Sequence, residues 1–176
     1  MRIVISGTAG SGKSTVAKEV AKGLNYKHYS IGDFFGKLAI KRGIDVIKLN
    51  RLAEDDASID REVDDMQKAL NREDNFVIDS RLGAFFIPDS TKVFLDADLK
   101  TRAKRIIGDQ REDEQNKSLK GAIRNMKKRE ESENKRYKER YGYACYDKAK
   151  FDLVIDTTNL DVEEVVGRIL AFIKKR

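Results

Sequence analysis

The clearest chemical pattern in the 176-residue chain is a glycine-rich loop close to its first residue. The segment at 7–15 reads G-T-A-G-S-G-K-S-T and fits G-x-x-x-x-G-K-[ST] in full. Glycines let successive backbone N–H groups turn toward an anion, and Lys13 adds a mobile positive charge. The pattern therefore predicts binding of the phosphates of ATP, with the Ser14 hydroxyl near a Mg²⁺ ion. The expected phosphate-binding residues are Gly7, Thr8, Ala9, Gly10, Ser11, Gly12, Lys13, Ser14 and Thr15.

Polar residues also follow two later apolar segments. Ser30 lies in Y-S-I-G-D, and Asp79 and Arg81 lie in D-S-R. An arginine beside a phosphate-binding loop can bind the α-phosphate of a second nucleotide through two parallel hydrogen bonds. Asp79 can supply an oxygen to Mg²⁺ or to one of its waters. Ser30 has two interpretations, because a serine at this place can also cap the helix that follows it.

A charged row lies on a helix predicted later in the chain. Arg129, Glu133 and Arg136 share one face of this helix, because residues four and seven positions apart return to the same side, and Arg140 lies below them. The two arginines can bind phosphates, and the carboxylate between them can bind a ribose or a base amine. The same spacing also fits ion pairs on an exposed helix surface, so the row alone leaves both roles open.

Five short runs are predicted to be the strands that position these groups, and the last three of them are each rich in β-branched or aromatic residues. Charged stretches with helical spacing separate the runs, and alternation of this kind predicts an α/β fold with a parallel sheet covered on both faces. Ligands on such a sheet bind at the carboxyl ends of the strands, where the motifs above fall. The predicted strands are Arg2–Ser6, Lys27–Ser30, Phe76–Asp79, Lys92–Asp96 and Leu153–Asp156, and a helix is predicted over Gly12–Leu24.

Two segments interrupt the alternation of strands and helices. Residues 30–74 are long, polar and helical, which predicts a small helical subdomain. Residues 108–121 are polar and nearly free of apolar anchors, which predicts a mobile lid. The remaining residues 1–29, 75–107 and 122–176 are expected to form the core of a single domain.

Composition limits the classes of protein to be considered. Hydrophobic residues make up 40% and charged residues 38% of the chain, and the mean hydropathy is −0.61. We therefore expect a soluble cytoplasmic protein with no membrane span. The single Cys145 excludes an internal disulfide and disfavours a metal cluster. A net charge of +6 suits a protein that handles phosphates and equally suits one that binds nucleic acid.

The glycine-rich loop occurs in several classes of nucleotide-binding protein. A guanine-specific switch protein is expected to carry N-K-x-D, which this sequence lacks, and a motor ATPase is usually larger. A short chain with polar inserts favours a kinase of small molecules. His28, the only histidine, lies on a predicted strand and is expected to be structural.

The motifs together resemble those of cytidylate kinases, most closely the archaeal type. Their order and spacing, more than any one of them, carry the resemblance, which runs almost from end to end. It implies a P-loop NTPase fold, three-layer α/β/α with a five-stranded parallel sheet, in which the helical insert binds the nucleoside monophosphate and the lid closes over the site. The matching segments are GTAGSGKST, YSIGDFF, SIDREVDD, VIDSRLG, FLDADLKTRAKRI, REESENKRYKERYG and FDLVIDTT.

The resemblance also implies roles for single residues. ATP is the phosphate donor with Mg²⁺, and Arg105 is expected to lie against its adenine. CMP, and also dCMP, is the expected acceptor. The residues expected to bind it include Ser30, Asp79 and Arg81. Arg102 and Arg111 are weaker phosphate candidates, whereas Asp60 and Asp64 belong to the acidic helix without an assigned role. In the charged row, Arg129 and Arg136 are expected to reach phosphate and Glu133 to hold the sugar of the acceptor.

One position departs from the pattern of these kinases. They often carry an arginine four residues after the S-x-G core, and this chain has Gly36 there. Lys37 is the expected substitute, although it points about 100° around the helix.

Several alternatives for the function stay open at this stage. D-S-R-L-G in place of D-G-F-P-R disfavours AMP as the acceptor, and UMP is harder to exclude. An ATP-switched factor for RNA or ribonucleoprotein assembly is a different class, which the lack of an aromatic-basic RNA module disfavours. We expect transfer directly between nucleotides, without a covalent intermediate, by a monomer.

Overall fold

A five-stranded parallel sheet forms the centre of the computed structural model, which describes residues 1–44, 46–108 and 118–175. The strands are β1 (Arg2–Gly7), β2 (Lys27–Ser30), β3 (Phe76–Asp79), β4 (Thr91–Asp96) and β5 (Leu153–Asp156). Their order across the sheet is β2-β3-β1-β4-β5. The predicted α/β class with a five-stranded parallel sheet is confirmed. The order brings the carboxyl ends of β1 and β3 side by side, because these two strands pair directly.

Helices connect the strands and cover the sheet. Eight α-helices occur in the described part of the chain, and two short 3₁₀ helices add one turn each. The α-helices are α1 (Lys13–Leu24), α2 (Ile31–Lys41), α3 (Val46–Asp55), α4 (Ala57–Ala69), α5 (Gly83–Phe86), α6 (Leu99–Gly108), α7 (Leu119–Tyr141) and α8 (Val162–Lys174), and the 3₁₀ helices are Leu70–Arg72 and Lys148–Lys150.

The apolar core lies on both faces of the sheet. Successive residues of a strand point to opposite faces, so Ile3 and Ile5 of β1 join one cluster and Val4 joins the other. The first cluster is closed by α1 and α8, and the second by α5 and by the loop that contains Tyr143. Both faces of β1 are buried, which explains why apolar residues do not alternate with polar ones at its centre, Ile3–Val4–Ile5.

The predicted inserts occupy distinct parts of the fold. Helices α2, α3 and α4 fill the segment between β2 and β3 and share a small core of their own around Leu49 and Ile59. Gly108 ends α6, whereas Leu119–Gly121, assigned to the lid from the sequence, form the first turn of α7, because Ser118 caps this helix. The rest of the predicted lid, residues 109–117, lies outside the described residues.

Within the three described ranges, no helix is both long enough and apolar enough to cross a membrane.

Candidate active site

The glycine-rich loop lies between β1 and α1, pressed against the end of β4. The backbone N–H of Thr8 donates to the Leu95 carbonyl at 3.1 Å. A Cβ atom at Gly7 would lie 1.9 Å from the same carbonyl oxygen, so only glycine fits there. Gly12 precedes α1 with φ of 88°, a left-handed conformation that glycine adopts without strain. The loop therefore presents its backbone amides and the start of α1 on one side, as an anion site requires.

Lys13 points back along the loop. Its Nζ donates to the Thr8 carbonyl at 2.7 Å. Burial and, after it, the nearby positive charge of Arg81 lower the pKa of Lys13 from 10.5 to about 7. Arg129 contributes in the same direction. Three cationic side chains from the loop, from the end of β3 and from α7 thus surround a place that favours a polyanion.

Asp79 contacts three side chains at the carboxyl ends of β2 and β3. Its Oδ1 accepts from the Ser14 hydroxyl and from the Ser30 hydroxyl, each at 3.2 Å. Its Oδ2 lies 3.1 Å from Nε2 of His28. Asp79 as a residue is 5% exposed. A hydroxyl and a carboxylate oxygen meet here beside the phosphate loop, and such oxygens are the ligand type that Mg²⁺ prefers, so the residues fit this ion.

Ser30 caps a helix in the structure, and its contact with an acceptor nucleotide stays a prediction. The Ser30 hydroxyl accepts from the backbone N–H of Asp33 at 3.3 Å and thereby caps α2. The same hydroxyl donates to Asp79. His28 is likewise part of the fold of β2 and in contact with this carboxylate. The cap fixes the start of the helical insert relative to Asp79.

Arg81 and Arg129 share the buried carboxylate of Glu133. Arg81 Nε lies 2.6 Å from Glu133 Oε2, and Arg129 Nε lies 3.0 Å from Glu133 Oε1. Burial opposes ionisation of Glu133, but the charges of Arg81 and Arg129 outweigh it and lower the pKa of Glu133. The hydroxyl of Tyr146 donates to Glu133 Oε2 at 2.7 Å and accepts from Arg81 Nε at 3.0 Å. Sequence motifs that lie far apart thus meet in one network.

The acidic helix α4 contacts the charged row on α7. Asp60, which is 6% exposed, pairs with Arg140 and lies 3.9 Å from Nε of Arg136. One helical turn further along α4, Asp64 accepts from the Tyr141 hydroxyl at 2.7 Å. The two carboxylates, which had no role from the sequence, therefore attach the helical insert to α7.

Two arginines of α6 contact the phosphate loop or the segment after β5. Arg102 is 5% exposed, pairs with Glu130 and donates from Nη1 to the Ala9 carbonyl at 3.3 Å. Arg105 donates from Nη2 to the Thr157 carbonyl at 2.7 Å and from Nη1 to the Thr157 hydroxyl at 3.0 Å. Both side chains thus contact either the loop itself or the segment after β5 that packs on it.

Lys37 does not join these networks. Lys37 is exposed on α2. A Cβ atom at Gly36, where related kinases often have an arginine, would have no neighbouring atom within 4 Å, so packing does not enforce glycine there. Arg111 lies outside the described residues.

Two polar groups of the site were missed by sequence reasoning. Tyr146 lies in an irregular loop after α7, where no periodic pattern marks it. Asp96 ends β4, accepts from the Thr8 hydroxyl at 2.9 Å and pairs with Lys148 at 2.6 Å. Its position at a strand end, like that of Asp79, is the signal that was available for it.

Fold and site together define a kinase of the P-loop class. The sequence profile of the cytidylate kinase-like family matches residues 2–159, and the chain therefore belongs to this family. It is 40% identical to the cytidylate kinase of Sulfolobus acidocaldarius over 100% of this chain and 96% of the relative. It is also 40% identical to that of Natronomonas pharaonis over 94% of this chain and 85% of the relative. The predicted resemblance to archaeal cytidylate kinases is confirmed, as is the prediction of a kinase-type enzyme.

Solved structures share the fold at lower sequence identity. A protein of unknown function from Eubacterium ventriosum is similar with a TM-score of 0.76 and 22% identity, over 100% of this chain and 99% of that one. Shikimate kinase from Bacteroides thetaiotaomicron is similar with a TM-score of 0.71 and 17% identity, over 99% of this chain and 98% of that one. These similarities support the three-layer arrangement of a P-loop kinase.

Proposed function

We propose that the protein transfers the γ-phosphoryl group of ATP directly to the phosphate of CMP, and also of dCMP. The observation that carries this proposal is the convergence of Lys13 and Arg81. These two cations come from the phosphate loop and from the neighbouring strand end, and they lie close enough for Arg81 to lower the pKa of Lys13. Two positive charges that lie between the donor site and the acceptor site are stabilised by the phosphates of both nucleotides.

The phosphate loop forms the donor side. Backbone amides of residues 7–15 and the start of α1 would bind the β- and γ-phosphates, with Lys13 turning from the Thr8 carbonyl toward them. Ser14 and Asp79 would hold Mg²⁺, directly or through water. When bound, this ion neutralises charge on the phosphoryl oxygens. Arg105 would lie beside the base of ATP, where Thr157 already fixes its guanidinium.

The acceptor side lies over the ends of β2 and β3. Arg81 and Arg129 would bind the phosphate of CMP, with Arg136 near it, and Glu133 would reach the sugar hydroxyls. Ser30 lines the same edge, at the start of the helical insert. Lys37 on α2 is a further candidate for binding the phosphate of CMP. The helical insert would have to move for Lys37 to come closer to Arg81. The family to which the chain belongs and the relatives named cytidylate kinase support CMP as the acceptor.

Transfer between these two sides needs positioning and neutralisation of charge more than covalent chemistry. The phosphate of CMP is already largely a dianion at neutral pH, so no side chain has to remove a proton from it. Lys13, Arg81 and Arg129 would stabilise the charge that spreads over the transferred group. Residues 109–117 fall in the predicted lid, which we propose excludes water from the reaction.

An acceptor panel tests this function. Release of ADP from ATP would be measured with CMP, dCMP, UMP, AMP and GMP, each with and without Mg²⁺. We expect Mg²⁺-dependent release with CMP and dCMP. Arg81→Ala should lower kcat/KM for CMP by roughly 10²-fold, the usual cost of losing one donor to the transition state. Arg124→Ala, which removes an exposed arginine of α7, serves as the matched control and should behave like the unmodified enzyme.

The panel also separates the other assignments. Faster release of ADP with UMP or AMP than with CMP would show that the acceptor is a different nucleotide, and the assignment of the ATP side would stand. Hydrolysis of ATP that responds to RNA and not to any nucleoside monophosphate would overturn the kinase assignment.

A further inference from the structure

The hydroxyl of Tyr146 joins the two charged groups at the centre of the acceptor side. It donates to Glu133 Oε2 at 2.7 Å and accepts from Arg81 Nε at 3.0 Å. The two bonds use the hydroxyl as a donor and as an acceptor at the same time. Tyr146 therefore holds a guanidinium and a carboxylate in fixed relative positions.

These contacts engage Arg81 on one side only. Its Nε faces both the Tyr146 hydroxyl and Glu133 Oε2, the latter at 2.6 Å. Within the described residues, the two terminal nitrogens of Arg81 have no hydrogen-bond partner. A guanidinium held at Nε keeps its terminal pair in one plane and one direction. That pair matches two oxygens of a phosphate group, because arginine binds phosphate through two parallel N–H donors.

Glu133 alone would hold Arg81 less well. Its carboxylate is shared with Arg129, which lies 3.0 Å from the other oxygen. A phosphate that draws Arg129 away would also change the position of Glu133, because both partners are side chains of one helix face. Tyr146 comes from the loop after α7, and it gives Glu133 and Arg81 a support that does not depend on Arg129.

We propose that Tyr146 is a positioning residue, which aims the terminal nitrogens of Arg81 at the acceptor phosphate. The inference rests on the proposed function, because it takes the phosphate of CMP as the group that Arg81 binds. Tyr146 itself does not contact the substrate. Its effect passes through Arg81, which it holds both directly and by way of Glu133.

The chain offers a matched control for the loss of one hydroxyl. Tyr143 lies three positions earlier in the same loop, and its hydroxyl is buried without a hydrogen-bond partner among the described residues. Tyr146→Phe and Tyr143→Phe both keep the aromatic ring and remove one oxygen. Only the first removes hydrogen bonds to Arg81 and Glu133.

The experiment compares the binding of CMP with the use of ATP. Calorimetry would give the Kd of CMP in the absence of ATP, and steady-state kinetics would give the KM for ATP at saturating CMP. Hydrogen bonds to charged groups contribute about 1.5–3 kcal/mol, so Tyr146→Phe should weaken CMP binding about ten- to hundredfold. The KM for ATP should change less than about twofold, and Tyr143→Phe should change neither constant.

Two further measurements separate positioning from a general loss of structure. The ¹⁵Nε–¹Hε resonance of Arg81, assigned by its loss in Arg81→Lys, should be protected from exchange in the unmodified protein and broadened in Tyr146→Phe. In the Arg81→Lys background, Tyr146→Phe should have little additional effect on CMP binding, because the effect of Tyr146 passes through the guanidinium.

Each result bears on a different link between Tyr146 and the acceptor. An unchanged Kd for CMP and an unchanged Arg81 resonance in Tyr146→Phe would overturn the inference while leaving the kinase assignment intact. If Tyr146→Phe weakened CMP binding and raised the KM for ATP by the same factor, Tyr146 would have a structural role only. The same conclusion would follow if Tyr146→Phe weakened CMP binding as much in the Arg81→Lys background as in the unmodified protein. An unmodified protein that binds ATP but not CMP would instead refute the proposed acceptor, and the positioning role with it.

Discussion

Binding of ATP next to Lys13 should take up a proton from solution at pH 8. Burial and the charge of Arg81 lower the pKa of this lysine to about 7, so in the free protein the amine is mostly neutral at that pH. A bound triphosphate stabilises the ammonium and raises the pKa again. Lys13 must therefore gain a proton as the complex forms.

The size of the effect follows from the pKa itself. With a pKa of about 7, Lys13 carries about 0.9 of a proton at pH 6 and about 0.1 at pH 8. Proton uptake on binding should thus be close to zero at pH 6 and about 0.9 at pH 8. The affinity for ATP should fall roughly tenfold between these two pH values, because the protein must be protonated before or during binding.

Calorimetry in buffers of different ionisation enthalpy measures this uptake directly. The slope of the observed enthalpy against the buffer enthalpy gives the number of protons exchanged. At pH 8 the terminal phosphate of ATP is already ionised, so it contributes little to the slope. Lys13→Arg is the control, since a guanidinium stays charged throughout this range and should take up no proton.

The free protein offers a second measurement of the same shift. The pKa of Lys13 is about 7 in the folded chain against 10.5 as its ordinary value, so the unfolded chain binds more protons between these limits. The cost of the buried ammonium is complete below pH 7 and disappears as the pH rises through this window. Lys13→Met should therefore raise the free energy of unfolding most at pH 6 and progressively less toward pH 10. Two results together would refute the lowered pKa: an observed enthalpy of ATP binding that does not depend on the buffer at pH 8, and a gain in the free energy of unfolding of Lys13→Met that does not depend on pH.

Two other predictions concern stability and reactivity. Gly7→Ala should cost roughly 4–5 kcal/mol or prevent folding, because its Cβ would lie 1.9 Å from the Leu95 carbonyl oxygen, whereas Gly12→Ala, with free space and a φ of 88°, should cost about 1–2 kcal/mol. Urea unfolding would compare the two, and equal costs would contradict the steric argument. Cys145 should react with an aromatic disulfide reagent at pH 8 only after unfolding, because burial raises its pKa to about 12. Rapid reaction of the native protein would contradict that assignment.

The sheet could be predicted closely because its signals are local. β2, β3 and β5 begin and end at the predicted residues, and short runs rich in β-branched or aromatic residues define β3 and β5. β1 and β4 are each one residue longer than predicted. Gly7 and Thr91 join the sheet through pairing with the neighbouring strand, opposite Leu95 and Ile3 respectively, and a single sequence does not display such pairing.

The site could be predicted only where a motif specified it. The phosphate loop and Arg81 have recognisable spacing, and the structure brings them together. Tyr146 contacts Arg81 across 65 positions, and Arg140 contacts Asp60 across 80. Contacts over such distances depend on how the loop after α7 and the helical insert pack, and no local pattern encodes that packing. The roles of the individual residues stay predictions until they are tested.

The contacts of Thr157 link the residues that would bind the two ends of ATP. Its hydroxyl lies 3.1 Å from the Ser11 carbonyl in the phosphate loop, and it accepts from Arg105 on α6. Its backbone N–H donates to the Asp96 carbonyl at 2.8 Å, which anchors it to the sheet. Base and phosphates would thus rest on a single support, whereas two groups on the acceptor side, Ser30 and Lys37, belong to the start of the separately packed insert. The donor would then meet a preformed surface, and any adjustment between the reactants would fall to the acceptor.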